Sequence, residues 1–154
     1  MAKPTPTADQ LRIDIYTLLN IKPYNMVWDN GIERFKRVPY QNIVKIIELL
    51  KAYKHQTNIM PNETVDSILT TTYSAAPSIE SFLALMLSRK EQTTFSGFVV
   101  HPEDANETIC IDEVHTSYDV TPVESNNMIE FIRDTYMPDE YDSDGQNVNM
   151  WWYV

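Results

Sequence analysis

An α+β fold is what the sequence predicts: about four helices in a helix-rich first part, then a small three-stranded antiparallel or mixed sheet with one further helix, in ββαβ order. Three observations carry that expectation. Apolar residues recur at helical spacing through residues 8–91, and from about residue 95 the period shortens to the alternation of strands. The third is bulk. At 154 residues, 43% hydrophobic and 22% charged, the chain can bury a core without disulfide or metal staples. We read a disordered Pro/Thr lead at 1–7 and a single α+β domain over 8–154. It divides into a helical part (8–91) and an acidic ββαβ part (92–154).

The first helix runs to about Leu19, capped by Thr7 or Asp9, with Leu11, Ile15, Leu18 and Leu19 at helical spacing until Lys22-Pro23 stops it. Residues 21–39 read as irregular, with a turn at Asn30-Gly31. The second helix, about 40–56, sets Ile43, Ile46, Ile47, Leu50 and Tyr53 on one face and Lys45, Glu48, Lys51 and Lys54 on the other. Pro61-Asn62-Glu63 opens a third, with Val65, Ile68, Leu69 and Thr72 inward. Ser78 caps a fourth over roughly 79–91, where Ile79, Phe82, Leu83, Met86 and Leu87 form a stripe and Ala84 and Leu85 make the reverse face apolar too. Residues 95–101 and 108–115 read as strands joined by the polar connection 102–107. Thr121-Pro122-Val123-Glu124 is a capping box opening a helix to about Tyr136, with Met128, Ile129 and Ile132 inward. An acidic loop at 138–146 and a terminal strand at 148–154 complete the chain.

Charge is distributed unevenly. Residues 1–90 hold 11 Lys/Arg against 8 Asp/Glu, whereas residues 91–154 hold 14 Asp/Glu against Arg133 alone; nets of +3 and −13 make up the total of −10. Such a field repels nucleic acid and anionic lipid and attracts basic surfaces. Three glycines, Gly31, Gly97 and Gly145, are too far apart for a phosphate-cradling loop. Lone Cys110 excludes an internal disulfide, and no Cys/His set has zinc spacing, so neither metal nor cofactor is expected. With no apolar leader and no apolar run of membrane-spanning length, the expected setting is the cytoplasm, or the host cytoplasm if the source is viral.

Catalytic patterns are thin. His55-Gln56-Thr57 and His115-Thr116-Ser117 formally match a two-histidine phosphoesterase signature, but His55 sits in helical context, where it cannot share a cleft with a strand histidine. His101 and Cys110 lie diagonally on the expected hairpin, a conceivable thiolate–imidazolium pair, against the plainer reading of a core cysteine with a histidine at its rim. Glu140-Tyr141-Asp142-Ser143-Asp144-Gly145 matches half of a calcium loop, but its twelfth position is Trp151 where a bidentate Glu belongs.

Binding patterns are richer. Trp151, Trp152 and Tyr153 are consecutive, and strand alternation sends either Trp152 or the Trp151/Tyr153 pair outward. The expected function is therefore a non-catalytic acidic binding or inhibitor protein that docks carboxylates on the basic site of a partner protein. Where that partner is a nucleic-acid-handling enzyme, such as a nuclease or CRISPR effector, the carboxylates mimic phosphates; inhibitors of toxins and immunity proteins share this composition. The docking candidates are Glu103, Asp104, Asp112, Glu113, Asp119, Asp139, Glu140, Asp142, Asp144, Trp151 and Tyr153. No direct nucleic-acid or membrane contact is expected, and a homodimer is compatible. The alternatives are a phage or viral structural or assembly protein and a small hydrolase or phosphoesterase using His115 or His101/Cys110.

Overall fold

Helical spacing and buried faces coincide along the first part of the chain. The computed structural model describes residues 8–21, 32–52, 62–70, 76–87, 90–100, 108–117, 123–143 and 147–153. In chain order they form α1 (Ala8–Leu18), β1 (Ile32–Pro39), α2 (Tyr40–Ala52), α3 (Asn62–Thr70), α4 (Ile79–Leu85), β2 (Thr94–Val100), β3 (Thr108–Ser117), α5 (Val123–Tyr136), β4 (Glu140–Ser143) and β5 (Asn147–Trp151). Helix α2 buries Tyr40, Ile43, Ile46, Ile47 and Leu50. At roughly 1.5–3 kcal/mol per fully buried large apolar side chain, that face holds the helix down far more than its propensity does. Asn42 Nδ2 donates to the Leu18 carbonyl at 2.9 Å, satisfying one of the carbonyls that the last turn of α1 leaves open. Ser78 caps α4 as expected, its Oγ accepting from the Ser81 N–H at 3.2 Å.

The sheet has five strands in the order β1-β2-β3-β5-β4, every neighbouring pair antiparallel. Its inward rows follow from residue alternation. Val38, Phe95, Val114, Met150 and Tyr141 align across all five strands and belong to, or pack on, one apolar cluster. That cluster also takes in Leu11 and Ile15 of α1, the buried face of α2, Val65, Ile68 and Leu69 of α3, Ile79 and Phe82 of α4, and Ile129 and Ile132 of α5. The helices thus cover one face of the sheet. At its centre Phe95 lies 6.1 Å from Tyr40 and 5.5 Å from Phe82, centroid to centroid. Phe98, Val100 and Cys110 form a separate small cluster on the outer face.

The architecture is α+β, but the expected three-stranded sheet is corrected to five strands. Residues 32–39, within the stretch expected to be irregular, form β1. The inward residues Phe35 and Val38 fall three apart because a bulge interrupts the register between them, and Ile32 lies on the opposite face and is exposed, which together hide the period of two. The expected loop at 138–146 contains β4, a four-residue edge strand whose apolar inward residue is Tyr141. It is extended and paired, so its described part does not wrap as a calcium loop. The fourth helix ends at Leu85 rather than near 91; Leu87, expected in the buried stripe, is exposed. Tyr53, Thr72, the 102–107 connection and the Thr121-Pro122 helix start lie outside the described residues, as does the side chain of Met128.

Candidate functional site

The outer face is built around a second bulge. Ser96 pairs with Glu113 and Gly97 with Ile111, leaving Asp112 as the extra residue. Only glycine fits at 97: a Cβ there stands 1.9 Å from the Cys110 carbonyl oxygen. The extra residue turns Asp112 and Glu113 to the same side, which simple alternation forbids. Their surroundings differ. Asp112 receives Arg34 Nη2 at 3.1 and 2.9 Å on its two oxygens, and its side chain is 9% exposed against 53% for Arg34. Asp112, expected among the docking residues, is thus buried and ion-paired, and it ties β3 to β1 across the sheet. Its own carbonyl accepts the Trp152 N–H at 2.8 Å.

Glu113 is half-buried. Ser96 Oγ donates to its Oε1 at 3.5 Å and accepts the Arg37 N–H at 3.0 Å. Desolvation pushes the Glu113 pKa up, and Asp112 adds to this, while Arg37, His115 and the Ser96 hydrogen bond pull the other way. His115, on the same face, donates from Nδ1 to Asn149 Oδ1. Cys110 is buried opposite Phe98; His101 and His55 lie outside the described residues. Among the described residues no three His, Cys, Asp or Glu side chains gather as a metal set. A groove of about 360 Å³ lined by Leu18, Lys45, Glu48, Leu49 and Ala52 shares none of these groups.

The β4 edge is where exposed acid and aromatic residues meet. In outer-face rows Glu140 stands beside Trp151 and Asp142 beside Asn149. The two carboxylates are exposed and Trp151 is half-buried. Val148 and Met150 take the inward positions of β5, so Trp151 faces out. Trp152 follows the strand into the core: its ring packs edge-on against Phe82 at 5.6 Å and its Nε1 donates to the Tyr136 carbonyl at 2.8 Å. Tyr153, 57% exposed, gives its N–H to Asp139 Oδ2 at 2.7 Å, and its hydroxyl pKa is pushed up by a hydrogen bond to Glu140.

Of the expected docking residues, the structure brings Glu113, Asp139, Glu140, Asp142, Trp151 and Tyr153 to this end of the sheet. Glu103, Asp104, Asp119 and Asp144 lie outside the described residues. Helix α5 adds residues the sequence reading passed over: exposed Glu130 and Asp134, with Phe131 and the adjoining Met137, 50% and 72% exposed. The one cation of this stretch is occupied. Arg133 Nε donates to Asp134 Oδ1 at 3.2 Å, its guanidinium lies 5.3 Å from the Tyr141 ring, and the Asp134 hydrogen bond raises its pKa. The signal for Glu130, Phe131 and Asp134 was present in the helical period, as the positions left over once Ile129 and Ile132 turn inward. Ser96 and Asn149 carried none. Among the described residues no helix is long and apolar enough to cross a membrane. No family model, no curated protein and no solved structure matches the chain.

Proposed function

We propose that the chain is a non-catalytic binding protein that docks its acidic end on a basic site of a partner protein. One observation carries the reading. Glu130 and Asp134 on α5 and Asp139, Glu140 and Asp142 at β4 are exposed carboxylates within 13 consecutive residues. The arginine among them is paired with Asp134 and lies over Tyr141, so it cancels one of the five charges and leaves a net of −4 over residues 130–142. Exposed Phe131, Met137 and Tyr153 supply apolar contact area between the charges, the mixture of anchors and steering charge that protein interfaces use. For a partner that handles nucleic acid, the carboxylates stand in for phosphates and the complex blocks its nucleic-acid site.

The test is a pull-down from host lysate at low and high salt, followed by reconstitution with the captured basic protein. A stoichiometric complex whose affinity falls at least tenfold between about 50 and 500 mM salt is expected, since exposed charges are screened beyond about 4 Å at the higher value. Combined reversal of Glu140 and Asp142 to Lys abolishes it. A complex insensitive to both salt and reversal refutes the reading.

A further inference from the structure

The geometry points to a receptor on the outer face for one cationic side chain: the Trp151 indole, with Glu113 on one side and Glu140 on the other, takes the guanidinium group of an arginine presented by a partner protein. The inference rests on the docking reading above and gives it a contact.

Three facts of register carry it. Glu113, Trp151 and Glu140 are directly opposed on β3, β5 and β4 and form one row. Neighbouring strands lie about 4.8 Å apart, so each carboxylate stands within reach of a group lying on the indole between them. Trp151 is held there from both sides along the chain, by Met150 in the core and by Trp152, whose backbone N–H and buried ring are both tied down. The backbone that carries the indole is thus placed before any partner arrives, which lowers the ordering cost of binding.

The second argument is the contrast between two adjacent carboxylates. Asp112 has its arginine from within the chain, Arg34 at 2.9 Å. Glu113, beside it on the same face, has a serine hydroxyl as hydrogen-bond partner and, among the described residues, no ion-pair partner. Arg37 is the chief cationic influence on this half-buried anion but makes no ion pair with it, and an incoming cation lying on the tryptophan supplies a direct one. Arginine fits better than lysine, because a planar guanidinium stacks on an indole while its edge N–H groups donate to carboxylates on either side. Asp142, next along β4 on the same face, extends the negative rim.

The experiment is an NMR titration of the full chain with tetra-arginine and tetra-lysine peptides, following backbone amides and tryptophan indole N–H signals. Tetra-arginine is expected to shift the Trp151 indole signal and the amides of residues 113, 140 and 151, with several-fold higher affinity than tetra-lysine. Trp151→Leu lowers that affinity about tenfold and Glu113→Gln or Glu140→Gln about fivefold each, whereas Leu87→Ala, at an exposed apolar residue following α4, leaves it unchanged. The two glutamine variants preserve side-chain shape, so the test stands even if Trp151→Leu fails to fold. If tetra-arginine instead shifts α5 and binds the glutamine variants as well as the parent, the row is refuted and the docking reading survives. If neither peptide binds, both are overturned.

Discussion

Two rows of the sheet, one residue apart, have opposite chemistry. The inward row runs Val38, Phe95, Val114, Met150 and Tyr141; the next outward row runs Ser96, Glu113, Trp151 and Glu140, with the Arg37 bulge beside Ser96. Backbone and pairing are shared, so the difference is entirely that of which way each side chain points. Every member of the first row belongs to the core cluster or packs on it, and none of the second is a member. The outer face is itself buried at Ser96, Phe98, Val100 and Cys110, so the separation of stability from recognition holds for the Glu113–Trp151–Glu140 end of the row. Substitutions in the first row should unfold the protein, and those in the second should change what it binds.

The largest effect is expected at Phe95. It is fully buried and contacts Tyr40 and Phe82, so Phe95→Ala should cost about 3–5 kcal/mol by urea denaturation, from lost burial plus the cavity left behind. A loss below about 1 kcal/mol breaks the comparison, since it would mean that the inward row does not anchor the core.

Arg34 and Asp112 are the exception on the outer face, and they come next. Removing Arg34 strands a buried carboxylate, so Arg34→Ala should cost about 1–3 kcal/mol. Adding Asp112→Asn should recover part of that loss, because the uncompensated charge has gone. A double-mutant cycle checks this, and strict additivity of the two changes would dissolve the tie between β1 and β3.

How much of this was legible in the sequence depends on how locally each feature is encoded. Helix α2 was plain because five buried residues repeat within its 13, and the β2–β3 pair because each strand holds a run of β-branched and aromatic residues. Strand β1 was not, since its bulge spaces the inward Phe35 and Val38 at three, a helical interval in an extended segment. Strand β4 has a single apolar inward residue, Tyr141, with polar Ser143 at its other inward position. At the site, Trp151 and Tyr153 were legible as a pair facing away from Trp152. The role of Asp112 was not: its partner is 78 residues away on the strand that went unread, and only the Asp112 bulge turns it to the same face as Glu113. Non-local pairing leaves no trace in a local period.

A smaller effect, with a definite sign, is expected at Glu113. Because burial raises its pKa in the folded protein, the folded state holds that proton more tightly than the unfolded chain. The stability this contributes is complete below the ordinary glutamate value, about 4.3, and is lost as pH rises through the raised folded value. Glu113→Gln removes the ionisation and should therefore gain Tm relative to the parent as pH rises above the ordinary glutamate value, then stay level once Glu113 is ionised in the folded parent. A gain that grows toward acid would mean Glu113 is stabilised as the anion, and would place it with Asp112 rather than with the recognition row.

The smallest effect on stability should come from the residues that matter most to the proposed docking. Glu140 and Asp142 are exposed on an edge strand, and substitutions at such positions usually stay within about 0.5 kcal/mol. In a chain of net charge −10, neutralising two carboxylates also relieves self-repulsion. The pair Glu140→Gln and Asp142→Asn should thus leave urea stability unchanged or slightly raised, with any gain vanishing in high salt. Binding of the basic partner should fall at least tenfold in the same variant. Large destabilisation here would mean that the edge carboxylates hold the β4–β5 hairpin together, and the outer row would then lose its claim to be free for recognition.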